Sequence, residues 1–145
     1  MSRAFDEARA AAARGEVPVG AVITRNGLVL ASAGNRTIAD RDPTAHAEML
    51  AIRLACAATK SERLTGCDLY VTLEPCAMCA GAISFARLRR LYYAAPDAKG
   101  GAVDNGSRFF AQLTCHHTPE VVGGLREGEA AELLRAFFVA KRGGE

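Results

Sequence analysis

The sequence predicts an α/β protein, one sheet with helices against both of its faces. Two observations carry this. Short apolar runs bounded by turn residues alternate along the chain with longer segments whose apolar residues recur at helical spacing. A length of 145 residues, half of them hydrophobic, suits one ordinary core, and no repeat, low-complexity tract or linker interrupts it. Residues 1–145 are therefore read as a single domain.

Phe5, Ala8, Ala11 and Ala12 recur at helical spacing, and Gly15 marks the end of that first helix. "VPVGAVIT" reads as a strand, "RNG" at 25–27 as a tight turn and "LVLASAG" as the returning strand. Residues 17–33 thus form a hairpin, with Asn35 just past its end. The loop "RTIADRDPT" follows, with Pro43 setting the approach and Thr44 as the expected N-cap of a helix that runs to about Lys60. Met49 begins its core face, which should also hold Ile52, Leu54 and Ala55. "DLYVTL" is a buried strand that "EPC" breaks, "AMCAGAISFA" a small-residue helix able to pack closely on a sheet, and "RLYYAA" a further strand. The glycine-rich "PDAKGGAVDNG" is a loop, and "SRFFAQLTCHHTPEVVGG" fits neither period. Residues 127–142 form a last helix with acids early and bases late, as the helix dipole favours.

Lys and Arg total 18 against 16 for Asp and Glu, a net charge of +2. That is too little to hold a polynucleotide by bulk electrostatics, so such a partner must be gripped locally. The basic clusters available are Arg89 with Arg90 and Lys141 with Arg142. The first residues lack the apolar run of a secretory signal, and nothing approaches the ~18 consecutive apolar residues of a membrane helix. Five cysteines, an odd number, without an export signal imply reduced thiols. The expectation is a cytoplasmic protein with no membrane partner.

Chemistry concentrates at two helix starts. Cys76 and Cys79 in "PCAMC" lie three apart on one face of a first turn, where the dipole and free N–H groups favour an anion and lower a thiol pKa. Alone, C-x-x-C is a metal site, a redox pair or a coincidence. His46 adds an imidazole, and two thiolates with one imidazole suit zinc, which prefers four ligands. The fourth position falls to water, as in a catalytic site, or to a side chain among Cys115, His116 and His117. Glu48 separates these readings. A structural zinc site has no use for an acid beside the metal, whereas a hydrolytic one needs a carboxylate to take and return the protons of the attacking water. In a regular helix residues 46 and 48 stand about 200° apart, so they converge only at the helix tip, looking past its N-terminal end into a cavity.

Each residue also has a plainer reading: His46 as an ordinary helix-start residue, Glu48 as an acid that the dipole favours. Their conjunction with "PCAMC" makes the site. Cys56 is read as a buried small apolar residue and Cys67 as a loop or strand-edge thiol. A second metal at "CHH", residues 115–117, is disfavoured, because adjacent residues on a strand do not readily chelate one ion.

H-x-E followed by P-C-x-x-C resembles the signature of the zinc-dependent nucleobase deaminases. "EVPVGAV", "GNR", "DPTAHAE", "LYVTLEPCAMCAGAI", "DAKGG" and "LLRAFF" extend the resemblance over nearly the whole chain, to the bacterial tRNA adenosine deaminases of the cytidine and deoxycytidylate deaminase superfamily. The resemblance implies a three-layer α/β/α sandwich of the cytidine-deaminase type around a central mixed sheet, a homodimer, and one Zn2+ per subunit. It implies a reaction too: adenosine to inosine at the wobble position, in the anticodon stem-loop of an arginine tRNA. By the same match His46, Cys76 and Cys79 are ligands, Glu48 the proton shuttle, Asn35 a contact to the flipped purine nucleotide and Asp97 a neighbour of the substrate strand. Arg89, Arg90, Lys141 and Arg142 become candidate RNA contacts. Two rival readings stand beside it. One is a deaminase of a free base or nucleoside (guanine, cytosine or cytidine), which would share the zinc machinery; the other is a catalytically idle zinc-stabilised binding module, against which Glu48 argues.

Overall fold

The structure, a computed structural model, describes residues 1–143. Strands β1 (Gly20–Arg25) and β2 (Leu28–Gly34) form the predicted hairpin. Its turn holds Asn26 and Gly27 at φ of 51° and 78°, the two positive values that a two-residue type I′ turn needs. β3 (Cys67–Leu73) pairs antiparallel with β1, β4 (Arg90–Ala95) parallel with β3, and β5 (Glu120–Gly123) parallel with β4. The sheet is therefore mixed, in the order β2-β1-β3-β4-β5.

Helices cover both faces, as predicted. On one, α1 (Ser2–Ala13) lies on β1 and β2, with α4 (Glu127–Gly143) beside it on β4. On the other, α2 (Ala47–Thr59) crosses β1 and β2 and touches α3 (Ala77–Phe85). Alternation along the central strands feeds both cores. Leu69, Val71, Leu91 and Tyr93 pack with Ala51, Ile52, Ala55 and Ile83 of the α2–α3 layer, whereas Ala94 packs with Phe5 and Ala130 of the α1–α4 layer. Burial on two faces explains why "DLYVTL" reads as one continuous apolar run. Each fully buried Leu, Ile or Phe in these layers contributes about 1.5–3 kcal/mol.

Several expectations are corrected. α2 starts two residues later than predicted, and its N-cap is His46, in extended conformation at φ −73° and ψ 151°, not Thr44. The cause is Asp42, whose carboxylate accepts the Thr44 N–H at 2.8 Å and its hydroxyl at 2.7 Å, closing a turn before the helix begins. Leu54 is 53% exposed, and Ala51 takes the expected inward place. Met49 and Cys56 are only half-buried, while Cys67 is fully buried as the first residue of β3 rather than lying at a strand edge. The stretch that fitted neither period holds a single 3-10 turn, Phe109–Ala111, and the short edge strand β5. No described helix is long and apolar enough to cross a membrane.

The site follows from this topology. Strands β3 and β4 run parallel, and the chain leaves β3 through Glu74 and Pro75 straight into α3. Ligands of open α/β sheets bind at the carboxyl ends of such strands.

Candidate active site

Two helix N-termini meet at that crevice, and each is capped by a ligating residue: His46 stands at the N-cap of α2, Cys76 at the N-cap of α3. Neither side chain is spent on capping its own helix. Because His46 is not yet helical, it escapes the opposition to Glu48 that a regular helix imposes, and both residues line one cavity of about 330 Å³.

His46 Nδ1 lies 3.6 Å from Cys76 Sγ and 3.6 Å from Cys79 Sγ. The three ligand atoms fall within 4.8 Å of one another. A tetrahedral zinc with Zn–S of about 2.3 Å and Zn–N of about 2.0–2.1 Å places nitrogen and sulfur roughly 3.6 Å apart. The donor set therefore fits zinc in both chemistry and spacing. Cys76 is pushed down to about 4, first by the hydrogen bond from Cys79 and then, against the opposing pull of burial, by His46. Cys79 is pushed up, first by the hydrogen bond it donates to the Cys76 thiolate and then by burial. Without metal, then, one thiol ionises and the other keeps its proton, which must leave when the ion binds.

Glu48 is 4% exposed, in the first turn of α2. Burial pushes its carboxyl up, and the Cys76 thiolate adds to this, while its own amide and His46 pull the other way. A buried carboxyl raised above its usual range and beside the ligand cluster is suited to take and give protons.

Asn35 and Asp97 both line the same cavity. Asn35 Oδ1 accepts the Ala47 N–H at 2.8 Å, so it caps the helix that brings Glu48 into place. Asp97 Oδ1 accepts the N–H groups of Lys99 and Gly100 at 3.1 and 3.0 Å and so also closes its own loop. Two buried carboxylates that sequence reasoning missed hold the loops around the opening. Glu16, 1% exposed, accepts the Ile38 and Ala39 N–H groups at 3.2 and 2.8 Å and the Thr37 hydroxyl. Burial alone would raise its carboxyl, but the Ala39 and Ile38 amides outweigh this and hold it below the usual range. Glu74 does the same for residues 97–105, again lowered by its donors against the pull of burial. Both stand inside motifs of the family resemblance, Glu16 in "EVPVGAV" and Glu74 in "LYVTLEPCAMCAGAI", but neither motif by itself assigns the carboxylate a role.

The remaining predicted residues lie apart from the cluster. Cys115 Sγ is 3.5 Å from the Ser84 hydroxyl and donates to the His117 carbonyl at 3.2 Å, while His117 Nε2 sits 2.8 Å from the Leu88 carbonyl. Among the described residues, the only grouping of three or more His, Cys, Asp and Glu that could hold a metal is His46, Cys76 and Cys79. Arg89 and Arg90 stand at the far ends of β3 and β4, about 17 Å of strand away from the crevice. There Arg89 makes a bidentate pair with Asp68 at 3.0 and 2.8 Å, and Arg90 reaches Glu120 at 3.0 Å. Arg142 lines a groove of about 970 Å³ between α4 and residues 96–100, which shares Asp97 and Gly100 with the cavity. Lys141 lies 5.7 Å from the ring centre of Phe137.

Three side chains that would hold zinc, two of them lining a cavity, with a buried acid beside them, suit a zinc site of the hydrolytic kind. The chain belongs to the family of the cytidine and deoxycytidylate deaminase zinc-binding region, which matches residues 1–95. The metal its ligands hold is zinc, one ion per chain. Over 142 residues the chain is 62% identical to the tRNA-specific adenosine deaminase of Agrobacterium fabrum, covering 98% of this chain and 93% of that one. A solved structure from studies of A-to-I editing by tRNA deaminases at the wobble position of transfer RNA superposes with a TM-score of 0.91 at 62% identity, covering 92% of this chain and 97% of that one. A guanine deaminase from Nitrosomonas europaea superposes with a TM-score of 0.81 at 28% identity, covering 94% and 81%.

Proposed function

We propose that this protein deaminates adenosine to inosine at the wobble position of an arginine tRNA, releasing ammonia, and that it works in the cytoplasm as a homodimer. One observation carries the reading: the relative named for tRNA-specific adenosine deamination stands at 62% identity over almost the whole chain, the guanine deaminase structure at 28%.

Bound zinc supplies Lewis acidity, lowering the pKa of a coordinated water toward ~7. The residues around it do the rest. Glu48 takes one proton from the attacking water and gives it to the adenine ring nitrogen, while the water oxygen bonds to C6. The second proton passes through the same carboxylate to the amino group, the C6–N bond breaks, and ammonia leaves. Asn35, with Oδ1 already engaged by Ala47, has its Nδ2 free to donate to the purine nucleotide. Asp97, on the lining of the same cavity, faces the substrate strand. The adenosine must be splayed from its loop to enter, and such single-stranded loops are where RNA sequence is usually read. Flanking nucleotides fit the adjoining groove, with Arg142 on its lining near their phosphates and Lys141 next to it on α4. Arg89 and Arg90 can add phosphate contacts by exchanging carboxylate partners, because exposed ion pairs of this kind are worth only ~0–1 kcal/mol. A second copy would cover the α2–α3 layer, where Met49, Met78 and the 77%-exposed Phe85 line an apolar groove.

The test is direct. The zinc-loaded protein is incubated with an anticodon stem-loop bearing adenosine at the wobble position, and separately with guanine, cytosine and cytidine. Inosine in the RNA with no turnover of the small substrates is expected. Ammonia from guanine alone would favour the second reading, for which the shared fold of the guanine deaminase speaks. No ammonia from any substrate would leave a zinc-stabilised binding module.

A further inference from the structure

Glu74 is 2% exposed and accepts five hydrogen bonds, all from one segment of chain. Oε1 takes the Asp97 N–H at 3.0 Å and the Asn105 side-chain amide at 2.7 Å. Oε2 takes the N–H groups of Val103 and Asp104 at 3.0 Å each, and that of Asn105 at 3.1 Å. Residues 97–105 thus wind around a single carboxylate. Gly101 seals the approach, since a Cβ there would stand 2.5 Å from the Asp97 carbonyl oxygen and 2.5 Å from Glu74 Cδ. The carboxylate's own backbone is equally constrained: its N–H donates to the Ala95 carbonyl at 2.8 Å, and the next carbonyl, of Pro75, accepts the Ala102 N–H at 2.9 Å.

The two ends of this arrangement matter for the reaction. Glu74 precedes Pro75 and the ligand Cys76, so its position is set by the strand and helix that fix the metal cluster. What it grips, through Asp97 and its neighbours, is part of the lining of the cavity that His46 and Glu48 also line. We infer that Glu74 is a positioning residue: it holds the wall at 97–100 in place beside the ligand cluster, so that a nucleotide finds its binding contacts on that wall already formed. The kinetic part of this inference rests on the deaminase reading above.

Glu74→Gln is nearly isosteric and opposes the grip selectively. Its amide nitrogen must point at donors on one side or the other, either the three amides at 103–105 or the pair from Asp97 and Asn105. Asn105→Ala removes one donor and leaves Glu74 in place. The experiment compares wild type and both variants, all zinc-loaded, for zinc content, kcat and KM on the wobble-adenosine stem-loop, and amide hydrogen exchange across 97–105. Loss of hydrogen bonds to a charged group corresponds to ~10-fold or more in binding. Glu74→Gln should therefore keep one zinc per chain and raise KM by ~10-fold or more, while kcat per zinc changes by less than ~3-fold. Exchange should quicken within 97–105, and Asn105→Ala should move both readouts the same way by less. A purely structural role would lower the active fraction and leave KM unchanged, which would overturn the inference. If Glu74→Gln does not fold, Asn105→Ala decides, and unchanged KM with unchanged exchange would overturn it. Should wild type deaminate none of the substrates, the functional reading fails on its own. The exchange data then still decide whether Glu74 holds the wall: faster exchange confined to 97–105 supports it, and unchanged exchange overturns it.

Discussion

The side-chain oxygen of Asn35 accepts the N–H of Ala47 at 2.8 Å, so a residue just beyond the hairpin caps the helix that carries Glu48. His46 occupies the N-cap itself but turns its ring toward the thiols, and Asn35 supplies the acceptor that His46 does not. Removing an N-cap acceptor costs ~1 kcal/mol, within a range of ~0.5–2. Asn35→Ala should lower the urea stability of the zinc-loaded protein by about that much. Asn35→Asp keeps an acceptor and adds a charge that a helix N-terminus favours, so its stability should stay near wild type while the amide donor to the substrate is lost. Equal stability of the Ala variant and wild type would show that the cap does nothing.

Glu48→Ala should retain zinc and fold and lose activity. The carboxylate lies beside the ligand set without belonging to it, and a general acid/base is typically worth ~10²–10⁴ in rate. In the proposed reaction one group moves both protons, so the loss should reach the upper end. Metal analysis with stem-loop deamination checks this; zinc loss, or near-normal turnover, would remove Glu48 from its role.

How much of this was legible beforehand depended on whether a residue's partners were near in sequence. The hairpin announced itself through Asn26 and Gly27, and "PCAMC" through a spacing that only one helical turn produces. His46 and Glu48 were legible as chemistry, and so was their meeting at the helix tip; what was not legible is that His46 stands outside the helix, because the two-residue delay of α2 comes from the bonds of Asp42 to Thr44. Long-range anchors were invisible. Glu16 binds amides 22 and 23 residues away, and Glu74 binds a segment 23 to 31 residues on. A carboxylate satisfied mainly by backbone N–H groups leaves no periodicity in either stretch. β5 escaped for a different reason: four residues at a sheet edge, none fully buried, show no alternation.

Cys76→Ala or Cys79→Ala should each lose zinc and stability, whereas Cys115→Ala should lose neither. Cys115 is engaged with Ser84 and the His117 carbonyl, outside the cluster. Zinc stoichiometry and melting temperature with and without chelator are the measurements. Zinc loss from Cys115→Ala would mean a fourth protein ligand, and the hydrolytic reading would fail with it.

Glu16 makes one loop sensitive to acid. Its carboxyl is held below the usual value in the folded protein, so its contribution to stability is fully present above the unfolded pKa of ~4.3 and is lost as pH falls through the folded value. Near neutral pH nothing should change. On acidification the amides of Ile38 and Ala39 should lose exchange protection, and Glu16→Gln should show that loss already at pH 7. Pre-existing fast exchange at both amides in wild type would remove the clamp from consideration.

Asp97 offers a test of sugar reading, sharpened by the structure. Its Oδ1 accepts from Lys99 and Gly100, and an asparagine oxygen can accept both bonds equally, so Asp97→Asn should preserve the loop while removing the charge. A carboxylate beside the substrate strand can accept a hydrogen bond from a ribose 2′-hydroxyl and repel an approaching phosphate. DNA lacks the hydroxyl and still meets the repulsion. A hydrogen bond to a charged group contributes ~1.5–3 kcal/mol, one to two decades of preference for RNA. Asp97→Asn should narrow that preference, mainly by improving DNA. Deamination of matched RNA and DNA stem-loops by both proteins measures it. Equal loss on the two substrates would mean that Asp97 serves only to close its loop, and the sugar would then be read elsewhere.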